Sequence, residues 1–195
     1  SLFFLFPVQS VAQDFTRTFF FLALIPALYI AFVLKRNLRD FGLAFPIYRK
    51  SAFWFLTTLI VSILVSWVFV QYTPFKDAYV IPDYAIGSFK WFLLYELVFV
   101  NIWLFFFEAF FKGFLLFTFA EKFGIWSVLL SAVLFVLFIS FTRSFSWENA
   151  PVIILSLTGG LLAYKTRSFI HSYLMGLLYI IIMDAYMIYA IKHYF

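Results

Sequence analysis

A chain of 195 residues with 66% hydrophobic and only 12% charged side chains cannot cover its apolar surface with a hydrated shell. That excludes a soluble globular domain and predicts an all-α, polytopic membrane helical bundle, a single integral membrane domain over 1–195. The absence of cysteine excludes disulfides, thiolate catalysis and thiolate metal sites, and two histidines, His171 and His193, are too few for a histidine-rich metal centre. The net charge of +5 sits beside apolar segments, not on a basic face interleaved with exposed aromatics, so no nucleic-acid partner is expected. No metal or cofactor is expected either.

The apolar start, Leu2–Val8, carries Pro7 and leads into polar Gln9–Arg17, so 1–18 reads as an outward or interfacial piece, or the remnant of a cleaved or truncated segment. A signal peptide would want a charge that Ser1–Phe6 lacks. About six transmembrane helices follow, near Phe19–Leu34, Ala52–Val70, Phe89–Phe110, Trp126–Phe141, Pro151–Tyr164 and Phe169–Ile191. Phe114–Phe119 is too short to cross alone and reads as a bent continuation of the third helix along the membrane surface. In the short fifth segment, Gly159-Gly160 signals close helix packing or a break. The loop Gln71–Ser88, with Pro74, Pro82 and Gly87, reads as a plain outward connector.

Lys35, Arg36, Arg39, Arg49, Lys50, Lys112, Lys122, Lys165 and Arg167 fall on one side when six helices alternate, which makes that side cytoplasmic and both termini outward. Trp54, Trp67, Tyr72, Trp91, Trp126 and Trp147 lie near helix ends, as an aromatic belt requires.

Ionisable side chains at membrane depth each disfavour insertion by about 2.5–3.5 kcal/mol, so they need a partner, a water-filled cavity or a function. The polar set is Glu96, Asn101, Glu108, Lys112, His171 and Asp184. Glu108 and Lys112 are i,i+4 with the acid first, the favourable order for a pair. Glu96 lies twelve residues before Glu108, about 120° around an ideal helix, so the two carboxylates do not share a face, and Glu96 is expected to reach another helix or the outer interface. Asp184 is either hydrogen-bonded to a tyrosine or asparagine on a packed helix or a cavity carboxylate. His171, close behind Lys165 and Arg167, is expected to snorkel at the cytoplasmic interface.

Four local signals in order resemble the CAAX-protease and bacteriocin-processing family of intramembrane proteases (CPBP, or Abi). Lys35–Leu43 resembles its basic run ending in hydrophobic-Gly-Leu, and Phe107–Gly113 resembles its first motif, Glu-Glu-x-x-Phe-Arg-Gly. Phe123–Trp126 with Ser131 and Phe135 resembles the turn and helix of the second motif, Phe-x-x-x-His. Gly160–Phe169 resembles the glycine-led helix and serine turn before the third motif, His-x-x-x-Asn or Asp. The resemblance covers about 34–187.

In that family, the first Glu and the motif-two His are thought to activate a water, while the motif-three residues stabilise the oxyanion. The resemblance places Phe107 at the first Glu, Glu108 at the second, Lys112 at the Arg, Ile139 at the motif-two His, Gly176 at the motif-three His and Ile180 at the Asn. A register shifted by five residues would make His171 the third-motif His with Met175 for Asn, and Asp184, one turn beyond Ile180, could be a displaced acceptor. Phe107, Ile139, Gly176 and Ile180 have no side chain able to activate water or hold an oxyanion. The resemblance therefore implies a catalytically inactive relative in a prokaryotic cytoplasmic membrane. It would act as a binding or assembly subunit whose partners are membrane lipids and other membrane subunits or a hydrophobic, lipidated peptide. Two alternatives are an active endopeptidase using Glu108 with His171 or Asp184, and a proton or ion transport component using Glu96, Glu108 and Asp184.

Overall fold

In the computed structural model the described residues are 11–44, 49–79, 81–142 and 147–194, and among them there are helices and no strands. Six long helices follow in order. α1 covers 11–33, α2 Arg49–Tyr72, α3 Phe89–Phe123, α4 Trp126–Thr142, α5 Ala150–Thr166 and α6 Phe169–Tyr194. Four of these runs, Gln13–Val33, Lys50–Tyr72, Phe89–Phe123 and Phe169–Ala190, are long and apolar enough to cross a membrane. Trp126–Phe141 and Ala150–Thr166 are apolar but shorter; at 17 residues, α5 is about 25 Å long against a hydrocarbon core of about 30 Å.

α1 starts earlier than the hydropathy boundary suggests. Asp14 and Arg17 pair across one turn within the polar stretch, and residues 11–18 are helical and continuous with the rest of α1. The expected segment Leu2–Val8 lies outside the described residues. Pro26 removes a backbone donor within α1, and a π-helical stretch, Phe20–Leu24, immediately precedes the turn that holds it.

α3, at 35 residues, is about 52 Å long and outruns the bilayer core. It is one helix through Phe123, widened into π turns at Tyr95–Val100 and Ala109–Leu115. Its last part does continue the third helix as the sequence suggests, and it packs inward, with Leu116 and Phe117 buried among Ile30, Phe41 and Val128. α5 is unbroken at Gly159-Gly160, where the glycines allow close packing.

α2 is apolar outside and carries a row of small hydroxyls inside, beside buried Leu59 and Val70. Phe53, Leu56, Ile60, Leu64 and Trp67 are exposed, while Thr58, Ser62 and Ser66, spaced by four, are buried. Ser62 Oγ donates to Thr158 Oγ1 on α5 at 2.8 Å, and Ser66 bonds the hydroxyl of Tyr179 on α6. Where the outer surface meets lipid tails, burying apolar groups gives no advantage, so small residues and interhelical hydrogen bonds set the packing. An apolar exterior, with helices long enough to span, marks a helical membrane protein.

One end of the bundle gathers the basic segments. Asn37 caps a short 3₁₀ turn, Leu38–Phe41, which ends at Gly42 with φ +80, a left-handed conformation that suits glycine. The Gly42 carbonyl accepts the Phe169 N–H at the start of α6 at 3.1 Å, and Ser168 donates its hydroxyl to the Ala44 carbonyl. Arg36 pairs with Glu121 near the end of α3. The α1–α2 segment, the end of α3 and the α5–α6 turn thus meet there.

At the other end, the segment between α2 and α3 is not a plain connector. Phe75, Ile81 and Ala85 are buried in the main apolar core with residues of α2, α3, α5 and α6.

Candidate functional site

α3 and α6 run antiparallel, and Glu96, Glu108, Lys112 and Asp184 lie in polar contacts along their seam. Two clusters form there, each opposite one of the π-widened turns of α3.

The first cluster stands near the basic end. Lys112 Nζ pairs with Glu108 Oε1, and Ser172 Oγ on α6 donates to Glu108 Oε2 at 2.7 Å. Glu108 and Lys112 are each 4% exposed and Ser172 is fully buried, so both carboxylate oxygens are occupied inside the bundle. Gly159 on α5 makes the room: a Cβ there would collide with the Lys112 amine and the Ser172 hydroxyl. The π turn that carries Lys112 leaves the Phe111 carbonyl able to accept a bond from Ser131 on α4 at 2.6 Å.

The positions singled out by motif, Phe107, Ile139, Gly176 and Ile180, are apolar in kind. The Phe107 ring meets Phe135 edge-on at 6.1 Å and Phe138 at 5.8 Å, both on α4, and stacks with Phe111 and Trp103 at 6.4 Å. Ile139 is buried on the same helix. Gly176 accepts Leu104 and Leu155 against its backbone, where a Cβ would lie 3.5 Å and 3.7 Å from them. Ile180 packs on the main apolar core. α3, with the first motif-like stretch, packs against both α4 and α6, which carry the second and third, and the side chains at these positions are rings and aliphatics.

His171 does not snorkel: it is 6% exposed, because α6 begins deep in the bundle behind the Gly42 and Ser168 contacts. Asp184 does not join Glu108. It lies twelve residues beyond Ser172 on α6, about 18 Å along the axis. Asn101 bonds the hydroxyl of Tyr173 on α6.

The second cluster is at the far end. Glu96, fully buried in the first π turn of α3, contacts Asp184 on α6, and Tyr79 donates its hydroxyl to Asp184 Oδ1. As its offset from Glu108 implies, Glu96 reaches another helix and does not pair with that residue. Burial first, and the Asp184 carboxylate second, push the Tyr79 phenol well above its ordinary range, so it stays a neutral donor. Tyr179, one turn before Met183, is fully buried and held by Ser66.

Tyr79, Ser172, Ser66 and Tyr179 were not among the residues the sequence singled out. For Thr58, Ser62 and Ser66 a signal existed, the four-residue spacing of small hydroxyls on an apolar helix. For Tyr79 no local signal exists, since its partner lies 105 residues away.

No group of three or more potential metal ligands forms among the described residues. The fold and these two clusters define the class: a helical membrane protein with ionisable groups held inside its bundle. No family model matches the chain, and neither a curated protein nor a solved structure matches it.

Proposed function

We propose that this chain is a CPBP-type membrane protein of six spanning helices that has no protease activity and acts by binding. The observation that supports this reading is the state of the first cluster. Phe107 is held among Phe111, Phe135, Phe138 and Trp103, while both oxygens of Glu108 are taken by Lys112 and Ser172. Peptide hydrolysis needs a base within hydrogen-bond reach of a water and donors aimed at the oxyanion. An aromatic box and a saturated ion pair supply neither, and Lys in place of Arg leaves a point charge where a bidentate fork would be.

Under this reading the pair is a structural clasp that joins α3, α5 and α6. The two short helices, α4 and α5, span with the others, at the lower end of the spanning length. The basic end faces the cytoplasm of a prokaryotic inner membrane, with Lys35, Arg36, Arg39, Lys50, Lys122, Lys165 and Arg167 beside lipid headgroups. The bound partner is a hydrophobic or lipid-modified segment, or a second membrane subunit.

The test is a cleavage assay on purified protein with prenylated CAAX peptides and transmembrane substrates. No turnover is expected. Turnover that disappears in Glu108→Gln would refute the reading, since Glu108 would then be a working base.

A further inference from the structure

The second cluster poses a chemical problem that the first does not. Glu96 is 0% exposed and Asp184 5%, and the two carboxyls are in contact. The ion pairs found among the described residues involve Asp14, Glu121 and Glu108, and none involves either of these carboxyls. Asp184 accepts a hydrogen bond from Tyr79. Neither oxygen of Glu96 receives one from any donor. The other titratable group facing the pair is Tyr179, on α6 beside Asp184, whose hydroxyl is already bonded to Ser66 of α2.

Two ionised carboxylates cannot share a dry contact without a cation, because each loses its hydration and repels the other. A buried carboxylate oxygen with no donor is equally unfavourable. A single proton removes both difficulties. On Glu96 it turns an orphaned acceptor into a donor, and its acceptor, Asp184, is already stabilised as the charged member by Tyr79.

We propose that Glu96 and Asp184 form a binding site for one proton, and that its occupancy seats the segment between α2 and α3 through Tyr79. With the proton bound, the pair carries one negative charge shared over a hydrogen bond. Without it, two negative charges face each other, and separation of the Tyr79 segment lets water reach them. That segment is built to respond as a unit, because Phe75, Ile81 and Ala85 enter the core on either side of Tyr79. The inference does not rest on the protease resemblance: Glu96 and Tyr79 match none of its motifs, and Asp184 entered it only as a displaced acceptor.

Infrared difference spectroscopy on the purified full chain reads the protonated carboxyl directly by its C=O stretch. The expected result is a band at neutral pH that persists in Glu108→Gln, disappears in the Glu96→Gln/Asp184→Asn double variant, and is lost from the wild type as the pH is raised. Tyr79→Phe removes the donor that favours ionised Asp184, so the band's midpoint should move up by about one pH unit or more. The chain has no native cysteine, so Ala85→Cys provides a clean probe of the segment. Its labelling, corrected by exposed Asp83→Cys for thiolate content, should rise through the same midpoint. A wild type without the band at neutral pH overturns the proposal, as does a band that survives the double variant. A band that emerges only when sodium, potassium or calcium is withdrawn also overturns it, since the site would then hold a metal ion. If labelling stays flat with pH, the coupling to the segment fails. Should the double variant not fold, the wild-type titration and the Tyr79→Phe shift still decide the matter.

Discussion

Lys112→Met is the sharpest perturbation of the clasp between α3 and α6. Methionine keeps most of the length and apolar stem of lysine but leaves Glu108 with Ser172 as its one remaining partner. Breaking a buried ion pair by removing one member is worth about 3–5 kcal/mol, because the survivor keeps its desolvation without compensation. The 4% exposure of both residues places this pair in that regime and not with exposed pairs worth about 0–1 kcal/mol. For a chain of this size, at about 2–4 °C per kcal/mol, the melting temperature should fall by roughly 6–20 °C. The Glu108→Gln/Lys112→Met double variant should recover much of that loss, since no uncompensated charge remains. Thermal unfolding of wild type, both single variants and the double variant in one detergent gives the coupling energy as a double-mutant cycle. A single variant within about 1 kcal/mol of wild type would refute the buried-pair argument. A double variant worse than the sum of the singles would show that Glu108 has a task beyond pairing.

Gly159→Ala places a methyl onto the Lys112 amine and the Ser172 hydroxyl, so it should destabilise by about 1–3 kcal/mol, less in the background that lacks Lys112. Denaturant titration in both backgrounds checks this. Gly42→Ala should be costlier than an ordinary surface change, because φ is +80 and the new Cβ would press on Phe117 and on the Phe169 backbone nitrogen. Limited proteolysis of the 36–44 stretch should report it. Ser66→Ala leaves the buried Tyr179 hydroxyl without its partner and should cost about 1–3 kcal/mol, read by thermal melting. Because the Tyr79 phenol is raised, its contribution to stability is fully present below the ordinary tyrosine value of about 10 and is lost as the pH rises through the higher folded value. Tyr79→Phe should remove that alkaline component, and a melting series against pH measures it.

Much of the architecture was legible in the sequence because a bilayer imposes a simple rule. Backbone groups at membrane depth must be satisfied within their own helix, so runs of apolar residues become helices almost regardless of detail. Glu108 and Lys112 were legible as a pair for the same reason: their contact is local, fixed by the four-residue repeat of one helix. The start of α1 was less so, since the helix, with Asp14 and Arg17 paired in it, runs through residues that hydropathy assigns to a polar segment. His171 looked like an interface residue by its distance from Lys165 and Arg167, yet the Gly42–Phe169 and Ser168–Ala44 bonds draw the start of α6 inward.

By itself, then, the sequence determined that this is an all-helical membrane protein, which segments are its helices, and that one buried acid has its base a turn away. Tertiary structure alone decided that Ser172 completes that pair, that Phe107 meets Phe135 and Phe138 of α4, and that Glu96 and Asp184 meet under Tyr79. The physical reason is range. Hydrophobicity and i,i+4 contacts are written in neighbouring residues, whereas the meeting of two carboxyls 88 positions apart depends on how antiparallel helices set their register and rotation. That register is fixed by packing at small residues such as Gly159 and Gly176 and by the widened turns of α3, none of which a hydropathy pattern encodes.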